Sequence, residues 1–322
     1  MPVFARLEER FERFVQRTRT DSYALSVPGL PGQVAVYCLE MLMCQDRLTQ
    51  KALAAWKGQP APEGYRCAIS PGQFLQAHGI TYEVLVGSLD FVPRSGPAIV
   101  VGNHPYGIIE VVICFDLVMQ LRKDALVLAN YCFYSNPLVT PYMAPIDFRG
   151  RPRSARMNLQ STVQFRDHVR NGGIGLMAPS GTVATRYDLS KPATEPEWST
   201  SAARLAMNHN ATVVPVCSEG EASTLFHLAS KTGLAPRLAV MMLENYRLRR
   251  RHLRVAVGPP VSPETLRGFG SAVEATQFLR AQVDGLRTAL AAKASPATQP
   301  AEAAQSRPAP DGCSPSPRSL SE

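Results

Sequence analysis

Paired cysteines, long apolar runs and recognisable nucleic-acid modules are all missing from this sequence. Its seven cysteines, Cys38, Cys44, Cys67, Cys114, Cys132, Cys217 and Cys313, are odd in number and scattered, with no CxxC spacing. That argues against a disulfide framework or a thiolate zinc site and for a reducing compartment. Those inside apolar runs behave as small hydrophobes. No run reaches the roughly 18 apolar residues of a spanning helix. The longest, 98–101 and 108–118, are short or carry Glu110 and Asp116. The opening segment MPVFARLEERFERFVQRTRT has no apolar core of a secretory signal. A membrane, if met, is met from its surface. Basic residues are not interleaved with aromatics, and no nucleic-acid-binding motif appears, so nucleic acid is not the expected partner.

What is present is the composition of a folded protein: 322 residues, 45% hydrophobic and 19% charged, enough for one large α/β domain or two small ones. The net charge of +8 suits an anionic partner, such as a phosphate-bearing substrate or an acidic membrane face. Residues 1–20 place Phe4, Leu7, Phe11, Phe14 and Val15 at helical spacing, which predicts an amphipathic helix. Its polar face mixes Arg6, Arg10, Arg13, Arg17 and Arg19 with Glu8, Glu9 and Glu12. It reads as a solvated face ahead of a membrane anchor. A second helix is expected over 33–56, a linker over 57–64 and a short helix over 71–78.

From about Ile80 short β-rich runs (82–86, 98–101, 126–129, 175–177, 212–216, 253–257) alternate with helical ones (109–121, 154–170, 200–208). Such alternation predicts an α/β fold with a mostly parallel central sheet flanked by helices, after a helical N-terminal region. Ser154 is the expected N-cap of its helix, and Asn171-Gly172-Gly173 the stop. The divisions are a helical region over 1–78, an α/β domain over 79–293 and a tail over 294–322. The tail is rich in Ala, Pro, Ser, Gln and Glu, a composition expected to stay disordered.

The most informative stretch is GPAIVVGNHPYGIIE, residues 96–110. A buried strand runs into a polar turn, placing Asn103 and His104 at a strand's carboxyl end, where open α/β sheets bind ligands. A histidine there can take a proton from a hydroxyl, with Glu110 turning back through Pro105 and Gly107 to orient the ring. The competing reading makes His104 a structural cap and Glu110 a complement to the helix dipole; spacing alone does not choose.

Asn103-His104-Pro105-Tyr106-Gly107-Ile108-Ile109-Glu110 resembles the first motif of the glycerolipid (lysophospholipid) acyltransferase superfamily. The usual form is N-H-x-x-x-x-D. The form here, with one extra residue and Glu for Asp, is similar to the N-H-P-[FY]-G-x-x-[DE] of a bacterial subgroup labelled hemolysin-like or ornithine-lipid related. The resemblance implies that His104 is the general base and Glu110 its orienting partner. The implied reaction moves a fatty acyl group from acyl-CoA or acyl carrier protein to a hydroxyl of a lysolipid or glycerolipid-like acceptor, with no cofactor.

Further blocks follow in family order. Pro145-Ile146-Asp147-Phe148-Arg149 stands where a second motif ends in a phosphate-binding arginine; Arg149, Arg151 and Arg153 also read as a solvated basic turn. Met177-Ala178-Pro179-Ser180-Gly181-Thr182 stands at the third motif, with Ser180 for the usual glutamate and Val183 for an arginine, Arg186 being the nearest basic substitute. Backbone N–H groups around Gly181 are suited to an anion or a thioester oxygen. Ser180 also invites a nucleophile reading, but Ala178 occupies the position of the first glycine of G-x-S-x-G, which disfavours it. The strand ending in Val-Pro-Val around Pro215 resembles the fourth motif, and Asn103, Arg149, Ser180, Gly181, Thr182 and Pro215 are the implied substrate-binding positions. The basic run 246–254 reads as a solvated loop or a head-group contact. The resemblance also implies a cytoplasmic protein on the inner face of a membrane. Its competitor is a catalytically degenerate relative that binds lipid or scaffolds, motivated by Glu110, Ser180 and Val183.

Overall fold

A computed structural model of the chain describes residues 2–18, 27, 29–42, 63–64, 66, 70–131 and 140–294. Ten helices are described: α1 (Pro2–Thr18), α2 (Leu30–Leu42), α3 (Pro71–Ala77), α4 (Ile109–Leu121), α5 (Pro152–Arg170), α6 (Ser201–His209), α7 (Thr224–Thr232), α8 (Leu234–Arg247), α9 (Pro263–Arg267) and α10 (Ala272–Ala294). The seven strands are β1 (Thr81–Gly87), β2 (Ala98–Gly102), β3 (Ala125–Asn130), β4 (Met143–Ile146), β5 (Ile174–Met177), β6 (Thr212–Ser218) and β7 (His252–Val257). They form one sheet in the order β1-β7-β6-β2-β5-β3-β4. Every pairing is parallel except β6 with β7.

The strand period of two dictates the layers. In β2, Ala98 and Val100 point to one face and Ile99 and Val101 to the other, and all four are buried. A strand apolar on both sides belongs inside a sheet covered twice. On one face α3 and α4 supply Leu75, Ile109, Ile113 and Val118. On the other, α5, α6 and α10 supply Phe165, Ala203, Leu279 and Val283. Burial of each large aliphatic contributes roughly 1.5–3 kcal/mol. A third cluster joins Val15 of α1 and Val36 of α2 to Phe226 of α7 and to Leu238 and Met241 of α8, with Val183 between them.

The expected mostly parallel α/β sheet with helical flanks is what the chain forms. Three details differ. The strand Met-Ala-Pro-Ile of β4 was not expected: it is four residues long and contains Pro145, which its edge position tolerates. Ser154 is not the N-cap of α5. Pro152 occupies the opening of the helix, where its missing N–H costs nothing. Ser154 instead bonds backward: its Oγ accepts from the Arg151 N–H at 3.2 Å and donates to Asp147 Oδ2 at 2.7 Å.

The polar face of α1 is the third difference. Glu12 accepts from Arg149 Nη1 and Arg151 Nη1, both at 2.7 Å, and Glu8 pairs with Arg151. Gln33 Nε2 of α2 bonds to Glu8 and Glu12 at 3.1 and 2.8 Å. Part of the face is therefore a half-buried dock rather than a solvated surface. Residues 43–56 of the expected second helix, most of the linker and the tail from 295 lie outside the described residues. So do Cys44, Cys67, Cys132 and Cys313, while Cys38, Cys114 and Cys217 are free thiols. No described helix is long and apolar enough to cross a membrane.

Candidate active site

β2 stops at Gly102, and the chain turns through residues 103–108 before α4 begins. Gly107 makes the turn possible. Its φ is +109°, and a Cβ there would sit 2.9 Å from Met241 Sδ and 3.2 Å from Val183 Cγ2, so a side chain is opposed by both strain and space. Glu110, in the first turn of α4, reaches back over this bend. Its Oε1 accepts from Gly107 N at 2.7 Å and Tyr106 N at 3.2 Å, and lies 2.6 Å from His104 Nδ1. The extra residue between histidine and carboxylate is absorbed by a loop that the carboxylate itself ties down.

The two side chains are unequally exposed, 16% for His104 and 2% for Glu110. A carboxylate only accepts, so the contact assigns the imidazole N–H to Nδ1 and leaves Nε2 as the ring's proton acceptor. The His104 backbone is held on both sides. Its N–H donates to the Glu195 carboxylate, whose other oxygen accepts from Trp198 Nε1 at 2.8 Å. Its carbonyl accepts from Ala184 N at 2.8 Å. Sequence reasoning missed Glu195, because nothing in the irregular segment between β5 and α6 marks it.

His104 and Glu110 line a cavity of about 520 Å³, within the range of small-molecule sites. Its walls are chiefly apolar: Val111, Val112 and Phe115 from α4, Val127 and Leu128 from β3, Leu238 and Met241 from α8. Burial pushes the Cys114 thiol up to about 12, so this wall residue is a neutral hydrophobe rather than a thiolate. Asn103, Gly181, Thr182 and Arg237 add the polar groups.

The remaining expected positions fall in different places. Asn103 clamps Ser218: Nδ2 donates to the Ser218 carbonyl at 2.9 Å, and Oδ1 accepts from Ser218 N at 2.8 Å. That bond pair fixes the ends of β2 and β6 together. Ser180 Oγ donates to the Thr182 carbonyl at 3.1 Å, outside the cavity lining. The Gly181 N–H closes a turn on Ala178 at 3.0 Å, so it is already engaged. Pro215 is buried in β6 opposite Val101, with its carbonyl accepting from Gly258 N at 2.8 Å, and it does not reach the cavity.

Arg149 is not turned to the cavity. Its Nε and Nη2 fork onto Asp147, both at 2.8 Å, its Nη1 takes Glu12, and its side chain is 6% exposed. Burial would raise the Asp147 carboxyl, but the Arg149 fork and Ser154 hold it below the ordinary aspartate value. Arg186 does not replace Val183 either, since it pairs with Glu221, which also bonds His227 at 2.9 Å. In the basic run, Leu248 and Leu253 are buried while Arg254 lies near Glu83 and Glu219.

The model of the acyltransferase family matches residues 66–293. The chain belongs to that family. The matched span takes in β1 to β7 and every lining residue of the cavity, while α1 and α2 precede it. Among solved structures, the acyltransferase is similar to the 1-acyl-sn-glycerophosphate (LPA) acyltransferase PlsC from Thermotoga maritima. The likeness has 13% identity over 78% of this chain and 92% of that one, with a TM-score of 0.44. No curated protein matches the sequence.

Proposed function

We propose that this acyltransferase moves a fatty acyl group from the thioester of acyl-CoA or acyl carrier protein to a hydroxyl of a lysolipid or glycerolipid-like acceptor, with His104 as general base. The observation that carries the reading is the 2.6 Å contact between His104 Nδ1 and the buried Glu110 carboxylate at the wall of an apolar cavity. Nε2 takes the proton of the acceptor hydroxyl as its oxygen attacks the thioester carbon. Glu110 stabilises the imidazolium that forms. The tetrahedral intermediate collapses, the C–S bond breaks, and the departing sulfur receives the proton from Nε2 as the free thiol. An ester and a thiol result.

An acyl chain suits the lining residues, which offer hydrocarbon on most sides. The cavity's rim supports a membrane source for the lipid: Phe148 and Leu234 line it while 59% and 45% exposed. The protein would thus rest on the inner face of a membrane and draw substrate from it.

His104→Ala is expected to lower thiol release about 10²–10⁴-fold with an unchanged thermal melt. Thiol release is followed with acyl-CoA and acyl carrier protein donors against a panel of lysolipids. Near-normal turnover by the variant would exclude the mechanism. If the unmodified protein binds lysolipid but releases no thiol with any acceptor, it is a lipid-binding relative rather than an enzyme of this reaction.

A further inference from the structure

We propose that Arg237 is an anion-binding residue of this site, taking the phosphate or carboxylate of a ligand seated in the cavity beside His104. The inference rests on the acyl-transfer reading for its substrates, though not for the anion contact itself.

Arg237 stands on α8, outside the blocks that resemble the family's motifs, and lines the same cavity as His104. Its guanidinium is built into place. Nη1 donates to Thr185 Oγ1 at 2.8 Å, and Nη2 donates to Thr182 Oγ1 at 3.0 Å and to the Val183 carbonyl at 2.8 Å. One face packs over the Phe226 ring at 4.8 Å. These partners are all neutral. Among the described residues no carboxylate pairs with Arg237, whereas the nearby cations do have acidic partners: Arg186 has Glu221, and Arg247 has Glu244.

A half-buried cation without a counter-ion is costly to keep. Neutral acceptors fix its orientation without cancelling its charge. Of the five N–H donors of a guanidinium, three are engaged by this loop; the Nε–H and one Nη1–H are not. Arginine at such a point favours phosphate or carboxylate.

The loop also connects this cation to the proposed base. Residues 182–185 hold the guanidinium through Thr182, Val183 and Thr185, and the next link, Ala184 N–H, donates to the His104 carbonyl at 2.8 Å. Val183, which occupies the place of a family arginine, therefore contributes its backbone to position a different arginine. The anion has two possible sources: the acceptor's head group, or the phosphates of the donor's nucleotide.

The test compares the full-length protein with Arg237→Gln, which keeps side-chain donors but loses the charge, and Arg237→Lys, which keeps the charge. Acceptors are lysophosphatidate and the neutral monoacylglycerol of the same chain; donors are palmitoyl-CoA and palmitoyl-pantetheine. If the anion is the acceptor's, Arg237→Gln lowers the lysophosphatidate-to-monoacylglycerol ratio of kcat/KM about tenfold or more, and Arg237→Lys restores part of it. If it is the donor's, the palmitoyl-CoA-to-palmitoyl-pantetheine ratio falls instead. Both ratios unchanged would overturn the proposal, as would an equal fall with all four substrates.

A second measurement does not depend on turnover. In His104→Ala protein, the anionic member of either pair should raise the melting temperature more than its neutral counterpart, and adding Arg237→Gln should remove the difference. No such difference before Arg237 is changed would also overturn the assignment. Absence of turnover in the unmodified protein, with the melting difference intact, would instead reject acyl transfer and leave the anion site standing.

Discussion

A histidine ring has two nitrogens, and the bond made by one determines what the other can do. At His104 the Nδ1 contact with Glu110 at 2.6 Å favours the tautomer protonated at Nδ1. Glutamate suits this loop because it also accepts from two backbone N–H groups in the bend. Glu110→Gln preserves an acceptor for those groups but removes the negative charge that would stabilise an imidazolium. We expect kcat to fall at least about 10²-fold, with KM changed much less, since the loss belongs to the transition state. Steady-state kinetics with a melting curve would check this. A variant that loses KM rather than kcat would mean that Glu110 serves substrate binding instead.

The contact between His104 and Glu110 was legible in the sequence because it is local: strand, bend and helix start lie within fifteen residues. Arg149 and Arg237 were not legible, for opposite reasons. A sequence displays the charge of Arg149 but not Asp147 and Glu12 closing on it from two directions. It equally hides that Arg237 meets Thr182 and Thr185 across the fold, over separations above fifty residues.

At the scale of elements, unbroken apolar runs revealed β2, β5 and β6 because central strands are covered twice, whereas β4, short and at the edge, carries no such pattern. The Asp147–Arg149 pair, against which α1 packs through Glu12, is an element-scale feature with a pH signature. The carboxyl of Asp147 lies below its ordinary value in the folded chain. Its contribution to stability is therefore present above the unfolded aspartate value, near 3.9, and is lost as pH falls through the lower folded value. Asp147→Asn should cost about 3 kcal/mol at neutral pH, as breaking a buried pair does, and should flatten the acid limb of the stability curve. Urea denaturation between about pH 2 and 6 would show either outcome. A variant with an acid limb as steep as the parent's would mean that other carboxylates govern acid unfolding.

At the scale of the whole molecule, the proposed reaction requires a route for a lipid to His104. The chain is basic overall, with net charge +8, and at the cavity two large apolar side chains, Phe148 and Leu234, remain in water. Phe148 is followed by Arg149, whose guanidinium is tied down by Asp147 and Glu12, so the backbone beneath the exposed ring is anchored. An exposed aromatic on a fixed base at a cavity rim suits insertion at a bilayer interface. If Phe148 inserts there, Phe148→Asp would remove roughly 1.5–3 kcal/mol of apolar burial and set a negative charge against an anionic surface. Sedimentation with vesicles containing anionic phospholipid should show binding reduced about tenfold or more, and turnover of vesicle-borne acceptor should fall in parallel. Turnover of a short-chain acceptor below its micellar concentration should fall much less, because that substrate needs no surface. Equal losses on both acceptors would place Phe148 in the chemistry of the cavity rather than at a membrane, and unchanged vesicle binding would move the contact surface elsewhere on the molecule.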